Sequence, residues 1–200
     1  VTLAAGIQVV NGAAYEDTRN FGIQYSASWG DYDNDGWPDL FLGHFGPDQL
    51  FRNNGDGTFT DVTGAVGLET VGWATCAAFV DYDRDGDLDL FVVHYVEYYG
   101  GVSCRSPNGE IDYCPPKKFT SSLDALYRNS GEGAFEEVTL SAGIDVAGSG
   151  LGVACADTDR DGWVDIYVAN DGEVNQLWMN QADGSFADEA VMRGVGFNGS

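Results

Sequence analysis

The chain has 200 residues, of which 32 are Asp or Glu and 9 are Lys or Arg, so its formal net charge at pH 7 is −23. This charge excludes a protein that binds nucleic-acid phosphates and disfavours docking on an anionic membrane. The sequence has no apolar run of the ~18 residues that a transmembrane helix needs, and no basic-then-apolar signal segment, so we expect no membrane insertion. Because the sequence begins at Val1, any targeting segment would lie outside it.

Short apolar stretches rich in Val, Phe, Tyr and Leu are separated by turns, and the sequence contains 28 Gly and 5 Pro. Almost no window keeps an apolar period of 3.6 residues over three turns, so helices are not expected. With 44% hydrophobic residues the chain can bury a core. The sequence therefore predicts an all-β globular fold.

Three Asp-rich segments share the pattern Asp-x-Asp-x-Asp-Gly-x-x-Asp and run directly into three apolar residues. We call them the first, second and third loops and number their residues from 1 to 9; they begin at Asp31, Asp81 and Asp157. Each is followed by a second element, Leu-x-x-Asn-x-x-x-Gly-x-Phe, whose Asn residues are Asn53, Asn129 and Asn180. Three copies in one register indicate an internal repeat.

The spacing of the two elements defines the repeat unit. From Asn53 to Asp81, and again from Asn129 to Asp157, there are 28 positions. A period of about 50 residues with several short strands fits a propeller blade of four antiparallel strands better than a helical solenoid. We therefore expect about three blades, over approximately 8–68, 69–144 and 145–200, with an insertion at about 95–121 in the second.

A third element closes each unit and matches the start of the sequence. It is found at 62–68 and 138–144, and the residues at 1–7 resemble both. We therefore expect the chain to open at the end of a preceding unit. The same spacing places a further loop near position 208, beyond Ser200, so we expect these blades to belong to a larger propeller.

The loop pattern is typical of a Ca²⁺ site. Carboxylates at positions 1, 3, 5 and 9 place hard oxygens around one point, Gly at position 6 allows a sharp turn, and position 7 would supply a backbone carbonyl. Without a cation, each close carboxylate pair would repel by ~1 kcal/mol even at water-like dielectric. The three expected sites consist of Asp31, Asp33, Asp35, Trp37 and Asp39; Asp81, Asp83, Asp85, Asp87 and Asp89; and Asp157, Asp159, Asp161, Trp163 and Asp165.

Other calcium-binding repeats fit less well. An EF-hand needs a bidentate Glu at position 12 and flanking helices, but position 12 is Leu42, Val92 and Val168. The short-period Gly-Gly-x-Gly-x-Asp tandems of β-helix proteins are missing from the sequence. The loops are therefore expected to join strands.

The cysteines and histidines have simpler interpretations. Cys104 and Cys114 lie within the insertion, so a disulfide is favoured over a zinc site or free thiols, and an oxidising compartment with it. Cys76 and Cys155 are expected to be small buried residues rather than a second bridge. His44 and His94 occupy equivalent positions, replaced in the third unit by Asn170, and are expected to form hydrogen bonds at strand ends.

Several aromatic residues could contact a ligand. Trp37 and Trp163 occupy matching loop positions, and Tyr95, Tyr98 and Tyr99 open the insertion. Such rings can stack on sugars, but we expect them mainly to pack on neighbouring loops. The insertion, which breaks the repetition, is the best place to look for a partner.

These motifs resemble FG-GAP/VCBS repeats, as in the propellers of integrin α-subunits. The sequence at 114–119 (Cys-Pro-Pro-Lys-Lys-Phe) and at 168–171 (Val-Ala-Asn-Asp) is similar to the ASPIC/UnbV and cartilage acidic protein group. The resemblance implies a propeller, commonly of seven blades, with Ca²⁺ bound between the first two strands of a blade and a role in adhesion or recognition.

We accordingly expect an extracellular, secreted or periplasmic calcium-binding scaffold for protein interaction or adhesion, whose partner is a protein or further blades. A glycan-binding lectin is the alternative. A hydrolase or lyase using paired Asp residues is opposed by the triplication, because catalytic sites are normally unique, and the sequence has no common catalytic motif. We expect no enzyme activity. Three open blades would expose apolar faces, so self-association is also expected.

Overall fold

A computed structural model of the protein describes residues 24–68, 70–99 and 101–196. The closing element expected at 1–7 lies outside the described residues. Within them, the chain forms antiparallel β-sheets and short turns. No helix in these three ranges is long and apolar enough to cross a membrane.

The strands form three blades, each an antiparallel meander of four strands. The first blade contains β1 (Gln24–Gly30), β2 (Asp39–Pro47), β3 (Gln49–Asn53) and β4 (Phe59–Asp61). The second contains β5 (Val71–Val80), β6 (Asp89–His94), β11 (Ala125–Asn129) and β12 (Phe135–Glu137). The third contains β13 (Gly150–Ala156), β14 (Asp165–Asn170), β15 (Gln176–Asn180) and β16 (Phe186–Asp188). The predicted all-β fold of propeller blades is confirmed.

In the first two blades, the second strand lies deepest in the structure. Every residue of β6 is buried, as are all residues of β2 except its last, Pro47. These strands are flanked by neighbours within the sheet and covered on their faces, so they carry continuous apolar runs rather than alternation. The apolar residues after each loop therefore form the centre of a blade.

The insertion in the second blade forms two small antiparallel two-stranded sheets, one nested within the other along the chain. Its strands are β7 (Val96–Glu97), β8 (Cys104–Arg105), β9 (Ile111–Asp112) and β10 (Thr120–Ser121), with a 3₁₀ turn at Pro116–Lys118. β7 pairs with β10, and β8 pairs with β9. A disulfide joins Cys104 to Cys114, whose Cα atoms are 5.1 Å apart, which confirms the predicted pairing.

Adjacent blades meet through a joint that is repeated with the same geometry. At position 2 of the first loop, the ring of Tyr32 packs on Phe135 of the second blade, with centroids 5.7 Å apart and planes at 37°. Tyr82 of the second loop packs on Phe186 of the third blade at the same distance and angle. Each pair belongs to a buried apolar cluster that spans two blades, and this burial is the main favourable term in joining them.

Hydrogen bonds complete this joint. Asn129 Nδ2 donates to the carbonyl oxygen of Tyr32 at 2.7 Å, and Asn180 Nδ2 donates to that of Tyr82 at 2.8 Å. Both bonds are buried and link residues almost one hundred positions apart. The Asn of the second repeat element thus satisfies a backbone carbonyl of the preceding blade, which would otherwise be buried without a partner.

A second repeated contact lies at the other end of the blades. The backbone N–H of His44 donates to Asp48 Oδ1 at 2.7 Å, and that of His94 donates to Asp124 Oδ1 at 2.9 Å. Burial raises the pKa of each aspartate to about 7. In the third blade the acceptor is a neutral amide, because Asn175 Oδ1 takes the equivalent position at 2.9 Å from its donor N–H.

Replacing Asn180 by Ala is expected to destabilise the fold more than replacing Asn53. The Asn180 variant leaves a buried carbonyl unpaired at the joint between blades, which costs about 1–3 kcal/mol. Asn53 Nδ2 instead donates to Pro38 within its own blade, in an exposed bond of 3.0 Å. Urea unfolding followed by circular dichroism measures both losses, and equal losses would contradict a special role for the joint.

The stability of an Asp124→Asn variant relative to the wild type is expected to increase with pH. The pKa of Asp124 is higher in the folded protein, about 7, than the value of about 3.9 in an unfolded chain. Its contribution to stability is therefore fully present below pH about 4 and is lost as the pH rises through about 7, by a few kcal/mol in total. Denaturant unfolding from pH about 4 to about 8 would measure the difference.

The third blade offers the matched control for this pH series. Asn175→Asp introduces a carboxyl at the equivalent buried position and should create the dependence that Asp124→Asn removes. If the two variants showed the same pH profile as the wild type, the buried carboxyl would not be the titrating group.

Candidate functional site

The three Asp-rich loops lie between the first and second strands of each blade, as the family resemblance implies. The first loop joins β1 to β2, the second joins β5 to β6, and the third joins β13 to β14. Gly at position 6 has φ of 89°, 95° and 93° in the three loops, a left-handed conformation that L residues rarely adopt. This turn folds each loop back on its own carboxylates.

Backbone amides hold the first carboxylate of a loop in place. In the first loop, Asp31 accepts hydrogen bonds from the N–H groups of Asp35 at 3.0 Å and Gly36 at 2.8 Å. Asp157 accepts the corresponding bonds from Asp161 at 3.1 Å and Gly162 at 3.0 Å. These bonds fix the turn, so the remaining carboxylates converge on one point.

In each loop three carboxylate oxygens, one per residue, lie within 4.8 Å of one another. The three groups are Asp31, Asp33 and Asp39; Asp81, Asp83 and Asp85; and Asp157, Asp159 and Asp161. The structure thus brings positions 1, 3 and 5 together in the second and third loops, and positions 1, 3 and 9 in the first. Asp35, Asp89 and Asp165, also expected as ligands, lie outside these groups.

Two carboxylate oxygens of these clustered residues are buried and have no hydrogen-bond donor in the described part of the chain. They are Asp33 Oδ1 in the first loop and Asp81 Oδ1 in the second. Burial, and then the nearby Asp35 carboxylate, raise the pKa of Asp33. The pKa of Asp83 is raised by the same causes, burial first and then Asp85. A buried carboxylate oxygen without a donor is costly, and a cation would remove that cost.

The carboxylate at position 9 is buried and holds the loop to the sheet. Asp39 accepts from the N–H of Tyr32 at 3.1 Å and from that of Asn53 at 2.8 Å, one bond on each oxygen. Asp89 and Asp165 make the same pair of bonds with their own loop and with the Asn of the third strand. Burial raises the pKa of Asp39 to about 6 and of Asp89 to about 7.

These hydrogen bonds leave lone pairs on the position 9 carboxylates that could bind a cation, because an ionised carboxylate has about four lone-pair sites.

The residue at position 7 also contacts a carboxylate of its own loop. The N–H of Trp37 donates to Asp35 at 2.8 Å, and Asp87 and Trp163 make the same contact in the other loops. This bond places position 7 beside the carboxylate cluster. Its carbonyl as an ion ligand stays a prediction.

The donor set fits a hard divalent cation. It consists of carboxylate oxygens from a single loop, and none of the three groups includes a His or a Cys. Ca²⁺ accepts six to eight oxygen ligands in irregular geometry, whereas Zn²⁺ favours nitrogen and sulfur. The residues present could therefore hold Ca²⁺ with backbone carbonyls and water completing its coordination.

The predicted roles of His and Cys are only partly met. The His94 ring makes a hydrogen bond from Nδ1 to the carbonyl of Leu123 at 3.1 Å, as expected of a strand-end group. His44 is fully enclosed, and it is the backbone N–H that makes its strand-end contact. Cys76 and Cys155 are free thiols that pack against the core but are only partly buried, because both lie on first strands.

The aromatic residues of the insertion pack mainly on one another and on Trp73. Tyr95 and Tyr98 contact the Trp73 ring edge-on, and Tyr98 and Tyr99 contact Phe119. Trp37 remains 51% exposed. These contacts account for the position of the rings without a ligand, so sugar stacking stays a prediction.

Sequence reasoning missed the role of Asn in the second repeat element. Its backbone N–H binds the position 9 carboxylate, its Oδ1 accepts from the residue two positions later, and its Nδ2 reaches the preceding blade. The recurrence of Asn at a fixed distance from the loop was the available signal. The residue thus links the candidate metal site to the joint between blades.

Comparison with known proteins agrees with this geometry. The sequence model of the FG-GAP-like repeat matches residues 31–92 and 119–168, more than half of the chain. Cartilage acidic protein 1 of Xenopus tropicalis is 42% identical over 55 residues, which are 27% of this chain and 8% of that protein. The chain therefore spans only a small part of the length of this relative. With its repeated loops, blades and sequence match, the chain belongs to the FG-GAP-like repeat family.

Proposed function

We propose that the protein is a calcium-stabilised propeller scaffold that works outside the cytoplasm as a protein-interaction or adhesion module. The buried carboxylate oxygens of Asp33 and Asp81, which have no donor among the described residues, carry the calcium part of this proposal. Each lies within a group of three carboxylates. Binding of Ca²⁺ would neutralise both the burial cost and the mutual repulsion.

The charge of the whole chain supports the same conclusion. The three loops contain fifteen expected ligand positions, and thirteen of these are Asp. The net charge of the whole chain is −23. A chain with this excess repels itself in the compact state unless cations bind. We therefore propose one structural Ca²⁺ for each described loop, three in all, with ligands as expected from the sequence.

The extracellular setting rests on the disulfide and on the family. Disulfides persist in oxidising compartments and are rare in the cytosol. The Cys104–Cys114 bond closes a short hairpin on which Ile111 is 79% and Tyr113 is 97% exposed. Exposed apolar side chains on a covalently closed hairpin are suited to contact a protein partner, so we propose the insertion as the recognition element.

We propose no catalytic role for the Asp clusters. A cluster of three carboxylates occurs in each of the three loops, and each loop is tied to the sheet by the hydrogen bonds of position 9. This is the arrangement that a structural site requires. The lectin alternative depends mainly on the rings of Tyr95, Tyr98 and Tyr99, which already pack on Trp73 and Phe119, so a glycan array is expected to give no ligand.

Replacing Asp33 by Asn is expected to have opposite effects with and without calcium. In a chelating buffer, the substitution removes a carboxylate that burial and Asp35 disfavour, so the melting temperature should stay the same or rise. With saturating Ca²⁺ a charged ligand is lost, so the calcium affinity should fall by about tenfold and the melting temperature should fall with it. Calorimetric titration and thermal melts in both buffers measure these effects.

Glu110→Gln is the matched control, because it removes one exposed negative charge from the insertion. It should change neither the calcium affinity nor the response to chelation. A wild-type melting temperature that does not respond to chelation would overturn the calcium proposal. Loss of a hydrolytic activity in Asp33→Asn at unchanged stability would instead favour the enzyme hypothesis.

A further inference from the structure

The side chain at position 4 of a loop reaches the next loop along the chain. Asn34 Nδ2 donates to Asp87 Oδ1 at 2.7 Å and approaches the carbonyl of Gly86 at 3.4 Å. The Arg84 guanidinium lies over the ring of Trp163, with Cζ 5.4 Å from the centroid. In both cases, position 4 of one loop contacts position 7 of the next.

Position 4 is also conformationally distinctive. Asn34, Arg84 and Arg160 have φ of 57°, 61° and 66°, the left-handed region that residues other than Gly seldom occupy. Each lies between the carboxylates at positions 3 and 5. The conformation that directs its side chain outward is therefore set by the same loop turn that gathers the carboxylates.

The receiving residue is connected to its own carboxylate cluster. The N–H of Asp87 donates to Asp85 at 2.9 Å, and the N–H of Trp163 donates to Asp161 at 2.8 Å. A continuous set of contacts thus runs from the carboxylates of one loop, through positions 4 and 7, to those of the next. Contiguous networks of this kind can carry energetic coupling between sites.

We infer that the position 4 side chains couple ion binding in neighbouring loops, Asn34 between the first and second and Arg84 between the second and third. This inference rests on the proposed calcium function. An ion that holds positions 3 and 5 together also holds position 4 against the next loop, where it keeps position 7 in place. The next loop is then partly ordered before its own ion arrives, so binding in one loop favours binding in the other, reciprocally.

The third loop allows a direct test, because Trp163 can sensitise the luminescence of Tb³⁺ bound beside it. The experiment uses the full chain with Trp37→Phe, which removes the aromatic ring at position 7 of the first loop. The signal that is lost on adding Asp159→Asn is taken as that of the third loop. The second loop is disabled with Asp81→Asn and Asp83→Asn. We expect this to weaken Tb³⁺ binding in the third loop about fivefold, the lower end of coupling between protein sites.

In an Arg84→Ala background, disabling the second loop should leave the affinity of the third loop unchanged. Arg160→Ala is the matched control: it removes the same charge from the same loop position, where the described residues include no following loop, and should preserve the fivefold dependence. Persistence of the dependence in Arg84→Ala, or its loss in Arg160→Ala, would overturn the coupling.

The experiment also separates the coupling from the proposed function. Suppose that the third loop binds Tb³⁺, that Ca²⁺ displaces the Tb³⁺, and that disabling the second loop does not change the Tb³⁺ affinity of the third. The coupling alone is then refuted. If no loop of the wild-type chain binds either ion, the calcium function is refuted and the coupling with it.

Discussion

The buried carboxylate at position 9 is the contact on which the rest of the structure depends. Asp39, Asp89 and Asp165 are almost entirely enclosed, and each accepts one backbone N–H from its own loop and one from the Asn of the third strand. A buried charge is tolerated only when such partners are present. The second repeat element therefore places its Asn where the loop needs a donor, and the loop fixes the register of the third strand.

The same Asn makes the loop part of the joint between blades. Its side-chain amide satisfies the carbonyl of position 2 in the preceding loop, beside the ring contacts of Tyr32 with Phe135 and Tyr82 with Phe186. The geometry of each loop thus positions an acceptor for the next blade. The Asn of the second repeat element is therefore shared between the loop of its own blade and the joint with the preceding blade.

Much of this architecture could be predicted from the sequence because the repeat fixes positions: the blades, the loops and the disulfide follow from register and spacing. The contacts between units could not, since they join residues almost one hundred positions apart, as from Asn180 to Tyr82. The hydrogen bond between His94 and Asp124 could not be predicted for a different reason. The equivalent residues in the first blade are 4 positions apart, but the insertion separates this pair by 30. The left-handed backbone of Arg84 has no sequence signal, because Arg has no preference for it.

The position of the insertion explains how one blade can carry extra residues without losing its fold. It enters between β6 and β11, where the other blades have a short turn, and β7 pairs with β10 so that its ends stay close. The bond from His94 N–H to Asp124 restores the contact that His44 and Asp48 make in the short turn, so the strands beyond it keep their register. The remaining cost is loop closure, which grows only slowly with length. Because strands alternate in direction, this turn lies at the opposite end of the blade from the Asp loops. The loop sequence is therefore constrained at the end of the blades where the carboxylates must converge. At the opposite end the turn can vary in length and sequence. A surface that recognises a partner can arise there without altering the Asp loops.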